Sequence, residues 1–152
     1  MPILVGGFLA GTLDAISAFV TFGWKMPYGI ASGLIGSNAV TAAKTGSSAI
    51  WLLGVVLHFI IAMAAAAIYV GASRRLTSLR DHFLVGGVLC GVGVFLVMNL
   101  FVLPWSAVPF PVGPFTVQAL RSGLGFHILL VGLPISASLW FFNRRPYSRA
   151  SR

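Results

Sequence analysis

Four long apolar runs dominate the sequence, and the only charged residue within them is Asp14. The runs cover approximately residues 3–23, 50–72, 83–103 and 122–142. Each reaches the ~20 residues that a helix needs to cross a bilayer core of about 30 Å. A chain of 152 residues with 58% hydrophobic and 8% charged residues could not bury four such runs in one soluble core. We therefore predict a single all-α transmembrane domain, a bundle of four transmembrane helices.

The charge distribution predicts how this bundle is oriented. Ten basic residues stand against two acidic ones, and the basic residues lie at the ends of the apolar runs instead of forming one face. This placement favours membrane orientation over nucleic-acid binding. Seven basic residues fall on the side of the inner loop and the tail at 143–152: Arg74, Arg75, Arg80, Arg144, Arg145, Arg149 and Arg152. The other side holds three: Lys25, Lys44 and Arg121. The positive-inside rule then predicts that both termini, including the basic tail, lie in the cytoplasm. We expect the protein to be located in the bacterial inner membrane.

The connections between the runs differ in character. In the first outer loop, residues 28–36 are apolar but too few to span, which predicts an interfacial or re-entrant segment. Residues 37–48 are richer in polar side chains, which predicts a polar linker. The inner loop at 73–82 is short, so helices 2 and 3 are expected to be antiparallel neighbours. The second outer loop at 103–114 holds four prolines, which predicts an extended, non-helical segment.

Small residues recur at helical spacing in the first and third runs. Gly7 and Gly11 lie on one face of helix 1, and Gly87 and Gly91 form a GxxxG pattern in helix 3. Small residues let helix backbones approach closely in lipid, where burial of apolar surface gives no driving force. These four glycines are therefore predicted to be helix-packing positions, in a compact bundle or a self-association face.

Four polar residues within the runs need an explanation: Asp14, His58, Asn99 and His127. At ~1.5 Å per residue, each lies roughly 6–13 Å from the outer end of its helix. An ionisable group at this depth costs about 2.5–3.5 kcal/mol and is expected to face the bundle interior with a partner. The four residues are therefore predicted to form a polar cluster in the outer half of the membrane.

This cluster has three interpretations. The simplest is hydrogen bonding across helices that fixes the packing. The second is a cofactor site, because Gly54 and Gly123 lie one turn before His58 and His127 and would clear space beside each imidazole. The two histidines could ligate a b-type haem, or, with Asp14, a divalent metal ion.

The third interpretation is transport. A carboxylate in helix 1 of a four-helix membrane protein resembles the small multidrug-resistance exporters, whose helix 1 carboxylate, here matched by Asp14, binds proton and cation in turn. That resemblance implies a homodimeric proton-coupled or ion transporter. The first outer loop is longer than in that family, and the proline-rich loop and the membrane histidines also depart from it.

Four stretches resemble a family of small four-helix bacterial inner-membrane proteins for which no activity is known. They are AGTLDAISAF at 10–19, VLHF at 56–59, VMNLFVLPWSAVP at 97–109 and HILLVGLPI at 127–135. Outside the runs there is no Ser-His-Asp grouping, phosphate loop or metalloprotease motif. We therefore expect no enzyme, and favour an accessory or structural subunit that contacts the lipid bilayer and other membrane subunits or itself.

Overall fold

Four long helices contain the four apolar runs. In the computed structural model, which describes residues 1–111 and 116–144, α1 covers Pro2–Phe22 and α4 covers Ser48–Ser73. The third long helix, α6, covers Phe83–Trp105, and the fourth, α7, covers residues 117–143. All four are long and apolar enough to cross a membrane. The described residues form helices and turns and no strand. Most of the predicted tail at 143–152 lies outside the described residues.

The two ends of the bundle differ: Arg144 lies at one end and Trp24 at the other. At the Arg144 end, α1 begins beside the last turns of α7, where the Ser138 hydroxyl donates a 3.1 Å hydrogen bond to the Pro2 carbonyl. At the opposite Trp24 end, the rings of Trp24 and Trp51 stack with centroids 4.7 Å apart, and Trp51 Nε1 donates to the Trp24 carbonyl. Both termini of the described bundle therefore lie at one end.

Helix α1 lies between α4 and α7, and glycines make both approaches close. A Cβ atom on Gly7 would lie 2.6 Å from the Met63 sulfur, and one on Gly6 would lie 3.1 Å from the Ile135 Cα. Helix α6 packs against the other side of α7. There, a Cβ on Gly91 would collide with the backbone of Ile128. Backbone contact of this kind maximises van der Waals attraction between helices whose outer surfaces are apolar.

Helices α4 and α6 are not the close neighbours that the short inner loop predicts. Helix α4 packs mainly against α1 and a short helix, α2 (Met26–Ile35), whereas α6 packs against α7. A short helix, α5 (Thr77–Asp81), lies in the loop and separates the two long helices. At the Arg144 end, the Tyr69 hydroxyl of α4 contacts α6 at Gly86, where it occupies the place that a Cβ atom would take. Loop length limits how far apart helix ends can be, but the glycine faces decide which helices pack.

The predicted polar linker at 37–48 is wrong, because most of it is helical. The first outer connection forms two helices, α2 (Met26–Ile35) and α3 (Ser37–Thr45). Alanines give α3 a high helix propensity, and one of them, Ala39, is fully buried. Gly36 and Gly46, with φ of 59° and 73°, separate α3 from its neighbours, since this backbone conformation favours glycine.

Two prolines lie inside long helices, each shortly after a wide π-helical turn. In α6, the turn Met98–Val102 precedes Pro104, and in α7 the turn His127–Gly132 precedes Pro134. Proline lacks the N–H that would bond the carbonyl four residues before it, and a π turn re-routes the neighbouring bonds. The predicted end of helix 3 at Leu103 is therefore two residues early. The non-helical segment of the second outer connection begins at Ser106.

The core is small and lies toward the Arg144 end. It joins residues of all four long helices: Ala10, Ala66, Tyr69, Val70, Cys90, Val131, Ile135 and Leu139. Many large apolar side chains on the outside remain exposed, such as Ile16, Ile60 and Leu129 at 56–60%. Interior packing between small residues with an apolar exterior is typical of helices that have lipid as their solvent.

Candidate functional site: polar groups within the long helices

His58 joins two long helices by a hydrogen bond to the backbone. Its Nε2 atom lies 2.8 Å from the carbonyl oxygen of Gly11 in α1, and its ring meets the Phe59 ring edge-on. Gly11 has no side chain, and a Cβ there would lie 2.9 Å from the Phe59 ring, so the carbonyl is within reach of the imidazole. The contact requires the tautomer or charge state with a proton on Nε2. The Nε2 atom of His58 therefore already has a hydrogen-bond partner within the bundle.

His127 binds a carbonyl of its own helix. Its Nδ1 atom lies 2.7 Å from the carbonyl oxygen of Gly123, and its ring meets the ring of Phe95 edge-on with centroids 5.5 Å apart. The residue begins the π-helical turn of α7, and its own carbonyl faces Gly91 of α6. His127 therefore belongs to the interface between α6 and α7, whereas His58 belongs to the interface between α4 and α1.

Asn99 repeats this arrangement in α6. Its side-chain nitrogen donates a 2.8 Å hydrogen bond to the Phe95 carbonyl, one turn earlier. It lies in the π-helical turn before Pro104, where the regular backbone bonds are re-routed. The amide is thus bonded within its own helix, to Phe95, whose ring meets that of His127 in α7.

Asp14 differs from these three residues. Its side chain is partly buried in α1, and no described residue gives it a hydrogen bond or an ion pair. The ion pair that the described residues do contain joins Arg80 to Asp81 in the inner loop. No hydrogen bond in the described parts of the chain joins any two members of the predicted cluster. Each histidine and Asn99 is bonded to a backbone carbonyl instead.

The space that the glycines beside the histidines were expected to clear is filled by protein. At Gly54, a Cβ would collide with the Pro27 carbonyl of α2, and at Gly123 it would lie 2.9 Å from the Phe95 ring. A haem bound by both histidines would also require His58 Nε2 to leave the Gly11 carbonyl. The arrangement of these residues therefore does not fit a b-type haem without rearrangement of α2 and Phe95.

A metal ion has no ready set of ligands among residues 1–111 and 116–144. No three His, Cys, Asp or Glu side chains there lie close enough together to hold one. The proposed set of His58, His127 and Asp14 is not assembled, because the histidines contact different helix pairs.

A polar network at the Arg144 end was not predicted from the sequence. The Tyr69 hydroxyl donates to the Leu79 carbonyl and lies 2.8 Å from the Ser136 hydroxyl. Ser136 Oγ lies at the same distance from the Phe83 carbonyl, so the network joins α4, α5, α6 and α7. Both side chains are buried. The sequence features that could have indicated this network are Tyr69 and Ser136, which are polar residues within two of the apolar runs, and Gly86. The missing side chain of Gly86 leaves room for the Tyr69 hydroxyl.

The comparisons with known proteins give no relative. No family model, no curated protein and no solved structure matches the chain. Function must therefore be inferred from the residues themselves.

Proposed function

We propose that the protein is an integral membrane protein with four transmembrane helices, and that it serves as an accessory or structural subunit of a membrane assembly, formed with itself or with other membrane proteins. The expected location is the bacterial inner membrane with both termini in the cytoplasm. The four long apolar helices support insertion. The hydrogen bond between Ser138 and Pro2, which joins the last turns of α7 to the start of α1 at one end of the bundle, supports an even number of crossings.

The observation that carries the assembly role is that the Asp14 carboxylate has no partner among residues 1–111 and 116–144. His58, Asn99 and His127 are each bonded to a carbonyl within the bundle and are thereby accounted for by packing. Asp14 has no such bond to a described residue. A carboxylate at this depth costs about 2.5–3.5 kcal/mol, and in membranes such groups pair with a donor. A hydrogen-bond donor or a cation on a partner helix would offset that cost.

The test compares three forms of the full chain, extracted from membranes in mild detergent and separated by native electrophoresis. Asp14→Leu cannot accept a hydrogen bond and should lower the mass of the assembly. Asp14→Asn keeps an acceptor and a donor and should retain most of it. Ile16→Leu, at an exposed position of the same helix, serves as the matched control and should behave as the parent does. Equal assembly of the Leu and parent forms would refute the role of Asp14.

Transport is a second candidate, because an unpaired carboxylate is also what a proton or cation carrier requires. The two roles differ at Asp14→Asn, since an amide can hydrogen-bond but cannot titrate. In proteoliposomes, a carrier would lose ion-dependent flux in the Asn variant while keeping its assembly. An assembly subunit would show no flux in the parent protein.

A further inference from the structure

An open cleft of about 400 Å³ lies at the Arg144 end of the bundle, between α5 and the last turn of α7. Its lining residues are Arg80, Asp81, Trp140, Asn143 and Arg144. Four of these five are charged or carry an amide, in contrast to the apolar exteriors of the long helices beside them. The cleft therefore suits a polar ligand at the level where the apolar helices end.

The two guanidinium groups in the cleft retain hydrogen-bond donors. The Arg144 guanidinium lies over the Trp140 ring, 4.0 Å from its centroid, and this stacking uses the face of the group and leaves its edge available. Arg80 Nε lies 3.9 Å from an Asp81 oxygen, which is too long for a hydrogen bond, and both side chains are about half exposed. Neither arginine donates a side-chain hydrogen bond to any residue that the structure describes.

The charge around the cleft is strongly positive. Arg74 and Arg75 follow the end of α4 at the same end of the bundle and are exposed. This end of the bundle therefore carries four described arginines and one carboxylate, that of Asp81, because the other acidic residue of the chain is Asp14 in the middle of α1. Planar guanidinium groups pair with phosphate oxygens through two parallel hydrogen bonds, so an anion with a phosphate group fits this surface.

From this geometry we propose that the cleft binds the phosphodiester headgroup of an anionic phospholipid, with Arg80 and Arg144 contacting the phosphate oxygens. The proposal rests on the membrane insertion proposed above. A free phosphate ion offers the same oxygens, but a lipid is favoured by the surroundings. Trp140 lines the cleft and lies under the Arg144 guanidinium, which puts an apolar ring beside the charged groups, and the next residue of α7, Phe141, is 56% exposed on the apolar exterior.

The test uses the full chain purified from membranes into a neutral detergent, with bound ligand measured by native mass spectrometry. The probes are dioctanoyl phosphatidylglycerol, dioctanoyl phosphatidylcholine and inorganic phosphate. The parent should bind phosphatidylglycerol in preference to the other two. Arg80→Gln and Arg144→Gln should each weaken that binding roughly fivefold, since this is about what one basic residue contributes near an anionic lipid surface. Asp81→Asn should strengthen it.

Arg121→Gln, which removes a charge at the Trp24 end, is the matched control and should bind phosphatidylglycerol as the parent does. A loss in Arg121→Gln as large as in Arg144→Gln would overturn the proposal, because net charge and not the cleft would then govern binding. Equal binding of the two lipids would overturn it as well. Inorganic phosphate binding that competes with the lipid at equal concentration would assign the cleft to a free anion instead. Extraction from membranes is a prior step, so each of these failures would leave the membrane assignment intact.

Discussion

His58 Nε2 lies 2.8 Å from the carbonyl oxygen of Gly11, and this contact ties α4 to the middle of α1. The carbonyl already belongs to the backbone ladder of α1, so it accepts a second hydrogen bond from a neighbouring helix. Such bonds fix the register of two helices whose apolar faces would otherwise slide past each other, since lipid solvates those faces as well as protein does.

We expect His58→Leu to lower the free energy of unfolding by about 0.6–1.7 kcal/mol, from the average to the maximum measured for hydrogen bonds between membrane helices. The measurement is reversible unfolding in mixed detergent micelles. His82→Leu, at an exposed position of the inner loop, is the control and should change stability little. A neutral result for His58→Leu would mean that the contact with Gly11 contributes nothing to packing.

The cofactor alternative makes a separate prediction. A haem held by two histidines would give a Soret band that disappears in either His58→Ala or His127→Ala. Because His58 Nε2 is bonded to Gly11 and the spaces beside both histidines are filled, we expect the purified protein to show no such band. An absorbance spectrum of the protein, expressed with haem supplied, decides the question. A band lost in both variants would require that α2 and Phe95 move to admit the cofactor.

Two glycines of α6 offer a matched test of helix packing. A Cβ on Gly91 would collide with the backbone of α7 at Ile128, whereas a Cβ on Gly93 would meet nothing within 4 Å. Gly91→Ala should therefore destabilise the bundle by about 1–3 kcal/mol through overpacking. Gly93→Ala should be neutral or stabilise it by up to ~1 kcal/mol, since alanine favours helix. Thermal unfolding of both variants in one detergent gives the comparison.

The Tyr69 network predicts a larger effect than a single hydrogen bond would. Tyr69→Phe removes the bonds to the Leu79 carbonyl and to Ser136 and leaves buried polar groups without that partner. The expected loss of stability is about 1–3 kcal/mol. Tyr28→Phe is the natural comparison, because its hydroxyl makes one 3.0 Å bond, to the Ser47 carbonyl, and should cost less. Equal losses in the two variants would contradict a special role for the network.

Orientation can be tested independently of stability. The excess of basic residues at the Arg144 end predicts that a reporter active only in the cytoplasm gives signal when fused after Arg152. The same reporter inserted at the exposed turn of Gly46 should be silent. The reverse pattern would invert the bundle and place the cleft of Arg80 and Arg144 outside the cytoplasm.

The existence of the four long helices follows from the sequence alone. Runs of about 20 apolar residues have few stable forms other than a helix that satisfies its own backbone, and the helices lie where the runs lie. Helix α3 escaped prediction because its residues look like a linker when polarity alone is considered. Its alanines and the flanking Gly36 and Gly46 are weaker signals than an apolar run.

The neighbours of each helix were decided by the tertiary structure. In a helix that is apolar all round, periodicity marks no buried face, so the sequence could not tell that α1 lies between α4 and α7 or that α4 and α6 stay apart. For the same reason, it could not tell that His58 and His127 would each find a carbonyl instead of each other. Hydrogen bonds have a range of about 3 Å, so a residue's partner depends on helix rotation and register. Those are fixed by close contacts at glycines such as Gly11 and Gly91. The sequence predicts these glycines as packing positions, but only the packed bundle shows which helix lies against each of them.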